Sequence, residues 1–217
     1  MMQSKTTWLD LPPDLKRSEI LSRVIYMDKK LLCGSRTDYG ELKITARKMC
    51  KNAVDRSRGK LVGITMVGFC DGELLEYVAD RSPKLSHLEI KDPDSSVRSL
   101  SKALKKLPKL EELSIHSAYL QVDQALGSYC PELKTLRLNC CGNIGDKEII
   151  AISKNLRELR HLEMRMNYSL SNTGLQAILD GCPCLKVLDL RWCPYVDLKG
   201  DIGKRLEQIE CVLHTKY

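Results

Sequence analysis

The chain has 217 residues, with 35 Lys+Arg against 28 Asp+Glu and ten Cys. A hydrophobic content of 43% supports a packed core and excludes a disordered chain, while one Phe and two Trp leave Leu to supply most of the burial. The longest largely apolar run, Leu61 to Cys70, is broken by Gly63, Thr65 and Gly68 and falls short of the roughly 20 residues a membrane span needs.

The start, Met1 to Asp10, is polar and has no apolar signal-peptide core, which predicts a cytosolic or nuclear protein whose cysteines are thiols. The first predicted element follows Trp8 to Leu15. There Leu15, Ile20, Leu21 and Val24 form an apolar stripe flanked by Lys16, Arg17, Glu19 and Arg23. Such an amphipathic helix docks on a partner or caps neighbouring structure. Residues 28–58 then read as a basic linker, opening on a polar loop from Asp28 to Arg36. Residues 1–60 hold 14 of the Lys+Arg and 7 of the Asp+Glu, so the whole excess of +7 lies there. Lys29, Lys30, Arg36, Lys43, Arg47, Lys48 and Lys51 would suit a nucleic-acid partner, but aromatic interleaving beyond Tyr39 is lacking, which disfavours that role.

From Leu61 onward one phrase recurs, Leu-x-x-Leu-x-apolar. Its copies begin at Leu61, Leu85, Leu110, Leu133, Leu159 and Leu185, spaced by 24, 25, 23, 26 and 26 residues. Pro83, Pro108, Pro131 and Pro183 each precede a copy by two residues. Cys141, Asn167 and Cys193 follow the later copies at a constant offset, with Ile144, Leu170 and Val196 three residues further on. This is the leucine-rich-repeat pattern, a short strand closed by an Asn or Cys turn. Helical phrases intervene at Gly72 to Ala79 and at Val97 to Leu107. Further ones lie around Ile149, with Asp146 as cap, and around Leu175, with Ser171 or Asn172 as cap and Gly181 with Pro183 as terminator. The predicted fold class is α/β, a solenoid of about six strand–turn–helix repeats over residues 59–213, with a short helical segment before it.

Cys130, Cys141, Cys182 and Cys193 are then repeat positions, and no Cys-x-x-Cys or zinc-type Cys/His spacing occurs, so neither metal nor cofactor is expected. No catalytic motif is present. The alternating non-core positions of each phrase point to the concave side. They are His87, Glu89, Lys91, Glu112, Ser114, His116, Thr135, Arg137, Asn139, His161, Glu163, Arg165, Asp189 and Arg191. Their mixed signs suit a protein partner.

Leu11-Pro12-Pro13-Asp14-Leu15 followed by Ile20-Leu21-Ser22-Arg23-Val24 resembles the opening of an F-box. Met49 to Ser57 with Leu61-Val62, and Tyr77 to Ser82 before Pro83, resemble plant F-box/leucine-rich-repeat proteins. The chain is identified as a member of that family with a truncated or degenerate F-box, residues 8–27, since no Trp and no Val-Cys-x-x-Trp-like phrase lies between Ile25 and Lys51. The resemblance implies the substrate-recognition subunit of an SCF-type cullin–RING ubiquitin ligase. Leu11, Pro12, Pro13, Leu15, Ile20, Leu21 and Val24 would bind the Skp-type adaptor, and the repeats would hold an unidentified protein substrate. The receptor itself would carry out no chemistry. The other reading is a repeat-only interaction scaffold that has lost its coupling to the ligase.

Overall fold

Each of the six repeat phrases forms one parallel strand in the computed structural model, which describes residues 24–28, 39–93, 100–118, 126–142 and 144–215. The strands are β2 (Gly63–Val67), β3 (His87–Lys91), β4 (Glu112–His116), β5 (Thr135–Asn139), β6 (His161–Glu163) and β7 (Val187–Leu190). Two more extend the sheet, β1 (Val24–Asp28) before β2 and β8 (Cys211–His214) after β7. All eight pair with their sequence neighbours in the order β1 to β8.

The register explains the phrase. Ile64, Leu88, Leu113, Leu136, Leu162 and Leu188 are cross-strand partners in one row. Alternation turns this row to one face of the sheet, where each of these side chains is buried. The helices α1 (Tyr39–Arg56), α2 (Gly72–Arg81), α3 (Leu100–Leu104), α4 (Leu126–Tyr129), α5 (Asp146–Ser153), α6 (Asn172–Gly181) and α7 (Gly200–Leu206) cover that face, each packed against the next. One continuous core runs from Ala46 to Leu206. No unit buries its apolar face alone, so stacking makes the core.

Local chemistry sets the helix starts. Asp71 caps α2 by accepting from the Leu74 N–H at 2.9 Å, and Ser171 caps α6 by accepting from the Thr173 N–H at 3.1 Å. Asp146, expected as a cap, is instead the first residue of α5, whose cap position is Gly145. Its carboxylate reaches the next unit and accepts from the N–H and hydroxyl of Ser171. The helix expected over Val97 to Leu107 is seen only as the shorter α3, with Leu100, Ala103 and Leu104 buried; Leu107 is buried beyond its end, and Val97 lies outside the described residues.

The turns after the strands are held as expected. Cys141 and Cys193 thiols donate to the carbonyls of Ile115 and Met164 in the preceding units, at 3.7 and 2.9 Å. Asn167 Nδ2 donates to the Ile144 carbonyl at 2.8 Å, and its Oδ1 accepts from the Ser169 and Leu170 N–H groups, both at 2.8 Å. Burial pushes Cys50, Cys130 and Cys182 up to about 12 and Cys141 up to about 11 from an ordinary 9.0. Such thiols stay protonated and pack as small apolar groups.

Of residues 28–58, expected as a linker, the described part from Tyr39 to Arg56 is a helix of the stack. Leu42, Ala46, Cys50 and Val54 recur every fourth residue along the 18-residue α1 and are buried, the last three as part of the core. The basic charge has a structural partner. Arg47 pairs with Asp71 and, at 3.7 Å, with Glu73, which also takes Lys51 at 3.0 Å. Tyr77 donates to Asp55 at 2.8 Å while Arg81 lies 3.8 Å over its ring. The cations that suited nucleic acid thus include two that tie α1 to the acidic start of α2. Val24, expected on a helical stripe, begins β1 and pairs with Gly63. No helix among the described residues is long and apolar enough to cross a membrane.

Candidate protein-interaction face

The helix-free face of the sheet is built by the residues that alternate with the core rows. Three rows run across it. His87, Glu112, Thr135 and His161 are partners in the first. Glu89, Ser114, Arg137, Glu163 and Asp189 are partners in the second, which runs from Tyr26 through Thr65 to Leu213. Lys91, His116 and Asn139 form the third, with Arg165 and Arg191 two residues beyond Glu163 and Asp189. The residues expected on this face therefore come together in register. Leu11, Pro12, Pro13, Leu15, Ile20 and Leu21 lie outside the described residues.

Charge is interlocked across the rows. Arg137 pairs with Glu112, donates to Ser114 Oγ at 3.1 Å and reaches Glu163 through Nε at 3.1 Å. Glu163 also accepts from Asn139 at 3.0 Å and Arg165 at 2.7 Å, and its Oε1 faces His161 Nε2 at 3.0 Å. Arg191 grips Asp189 at 2.6 and 3.0 Å, and Arg165 Nε lies 2.9 Å from the same carboxylate, in ion-pair contact but off the hydrogen-bond direction. Toward β2, Glu89 takes Lys91 at 2.9 Å and the Thr65 hydroxyl at 3.0 Å, with His116 at 3.6 Å. Lys91, Arg137, Arg165 and Arg191 thus meet the four acids Glu89, Glu112, Glu163 and Asp189.

The electrostatics follow from these contacts. Burial alone would push the Glu163 carboxyl up. The bonds from Asn139, Arg165 and Arg137 outweigh it and hold the group at about 2, against an ordinary 4.5. Burial lowers His116, and the opposing pull of Glu89 does not reverse it, which favours the neutral imidazole. Four of the expected contact residues, Ser114, Asn139, Glu163 and Asp189, are buried. Longer neighbours cover them, so they position Arg137, Arg165 and Arg191 instead of meeting a partner directly.

Two features went unread in the sequence. A pocket of about 180 Å³ is lined by Gly63, Thr65, His87, Glu89, Glu112 and Ser114. The second is a ladder of left-handed residues. Gly68, Asp92, Ser117, Cys140, Met166 and Trp192 have φ of 83°, 45°, 55°, 57°, 55° and 65° and follow successive strands. Each turns the chain off the sheet while its N–H bonds onward, as Met166 does to the Arg191 carbonyl at 3.0 Å. The repeat period carried this signal, since these residues recur like the Leu positions. Among the described residues no group of three or more His, Cys, Asp and Glu side chains is placed to hold a metal ion.

A sequential parallel sheet, helices on one face and Asn/Cys turns define a leucine-rich-repeat protein. The family description "Leucine Rich repeat" matches residues 129–153 and 181–200. A solved leucine-rich-repeat protein of Leptospira interrogans shares the fold, with a TM-score of 0.52 at 19% identity over 73% of this chain and 43% of that one. Curated relatives go further. F-box/LRR-repeat protein 9 of Arabidopsis thaliana is 42% identical over 171 residues, covering 76% of this chain and 69% of its own. F-box protein SKIP19 of the same plant is 36% identical over 236 residues, covering 96% and 77%. The chain belongs to the F-box/LRR-repeat family.

Proposed function

We propose that this protein is a substrate-recognition subunit of an SCF-type cullin–RING ubiquitin ligase, working in the cytosol or nucleus. Residues 8–27, with Leu11, Pro12, Pro13, Leu15, Ile20 and Leu21, bind the Skp-type adaptor. The helix-free face of the repeats holds the target protein. The observation that carries this reading is the in-register polar face from β3 to β7 on a chain of the F-box/LRR-repeat family. Its preorganised guanidinium–carboxylate lattice offers fixed donors and acceptors to a protein surface. The subunit performs no bond chemistry; it raises the concentration of a target lysine near the charged conjugating enzyme.

One observation favours the second reading, a scaffold without ligase coupling. Val24–Asp28 pairs in the sheet and α1 packs on α2, so residues that would continue an F-box belong to the repeat stack. Co-precipitation separates the two. The wild-type chain is expected to capture the Skp-type adaptor and cullin, and the combined change Leu11→Asp, Ile20→Asp and Leu21→Asp to abolish capture. Failure of the wild type to capture the adaptor removes the ligase reading and leaves the scaffold.

A further inference from the structure

Large apolar side chains are almost all buried, and those exposed are not scattered. Among the described residues Ile44, Met166, Tyr168, Trp192, Tyr195 and Leu213 stand out in water. All but Ile44 belong to the last three strand units. Met166 and Trp192 occupy successive steps of the left-handed ladder, one strand spacing of about 4.8 Å apart. Cys140 continues the line, with its Sγ 3.6 Å from Met166 Sδ. Tyr168 and Tyr195 lie in the same two turns, and Leu213 ends the middle row of the polar face beside Asp189. At Gly68 the same corner is made by glycine, the residue that tolerates this backbone best. Met166 and Trp192 accept a disfavoured conformation while leaving about half of each side chain in water.

Charge beside this ridge is sorted by depth. The side chains of Glu163 and Asp189 are 9% and 2% exposed, whereas Arg165 and Arg191 are each 40% exposed. Solvent therefore meets guanidinium groups, with their carboxylates beneath. Near β3 and β4 no such sorting occurs, because Glu89 and Glu112, at 31% and 33%, are nearly as open as Lys91 at 37% and more open than Arg137 at 26%. The cationic surface is thus confined to the end of the face that carries the apolar ridge. Exposed Trp, Tyr, Met and Arg together are also the composition that interface centres favour.

We propose that the β6–β8 end of the face and the Met166–Trp192 ridge form the docking site for a protein segment bearing an aliphatic or aromatic anchor beside carboxylate residues. The anchor packs against Met166 and Trp192, while the carboxylates take the outward N–H groups of Arg165 and Arg191. A basic segment meets repulsion there, and a purely apolar one leaves the guanidiniums unused. This inference rests on the reading of the repeats as the part that holds a target protein, and it names the chemistry of that target.

Selection of a random linear peptide library on the purified full chain tests it. The selected peptides are expected to pair Asp or Glu with Leu, Ile, Phe or Trp, and their binding to weaken as salt is raised. A synthetic selected peptide is expected to lose about tenfold or more in affinity with Trp192→Ser and with Arg191→Gln. Unchanged melting temperatures of the variants show that the fold is intact. Selection of no peptides or of basic ones, affinity unmoved by either variant, or a dimer of this chain dispersed by Trp192→Ser overturns the proposal. Adaptor capture is measured on the same preparations. Peptide binding without adaptor capture leaves the docking site standing and removes the ligase reading; capture without peptide binding does the reverse.

Discussion

Glu163 shows how much one side chain on the polar face organises. It joins Arg137 and Asn139 of the preceding unit with His161 and Arg165 of its own at one carboxylate. Its pKa in the fold, about 2, lies below the ordinary 4.5, so the folded state binds this proton less readily than the unfolded chain. The stabilisation is therefore complete above about pH 4.5 and is lost as pH falls towards about 2. Glu163→Gln is expected to flatten the dependence of melting temperature on pH in that window. It is also expected to cost about 2 kcal/mol at neutral pH, a figure reduced for the partly exposed arginines. Thermal denaturation across pH checks both; an unchanged acid limb would show that Glu163 is not the group responsible. The alternation of two along each strand made its place on this face legible. Its burial was not, because that depends on the reach of Arg137 and Asn139 from the neighbouring unit.

Packing between elements is just as exacting where α5 and α6 meet. A Cβ added at Gly181 would strike the Ser153 carbonyl oxygen and come within 2.7 Å of its carbon. Gly181→Ala is expected to lower stability by about 1–3 kcal/mol, read as a lower melting temperature. A neutral result would mean that the two helices can part at this point without loss. In the sequence Gly181 was legible only as a helix terminator; the approach of Ser153 is a tertiary fact. α1 was hidden for a related reason. Its stripe of Leu42, Ala46, Cys50 and Val54 has clear helical spacing, but Lys and Arg dominate the composition and suggest a solvated loop. Only the acids of α2, Asp71 and Glu73, show what those cations are for.

At the scale of the whole molecule the repeat stack begins earlier than its phrases do. β1 and α1 extend the sheet and the helix layer beyond β2 and α2, covering core that would otherwise face water. Deleting residues 1–58 is expected to lower the melting temperature and raise binding of a hydrophobic dye. A separable linker would leave both unchanged. By itself the sequence determined the repeat scaffold, its strand register, its Cys and Asn turns and the residues of its polar face. All of these follow from short-range periodicity, since side-chain direction is set by position along a strand. The tertiary structure alone decided that the basic segment is part of the stack and that carboxylates lie beneath guanidiniums at one end of the face. It likewise decided that the exposed aromatic residues gather beside them. Each of these depends on which units become neighbours and how far their side chains reach, and no local spacing encodes that.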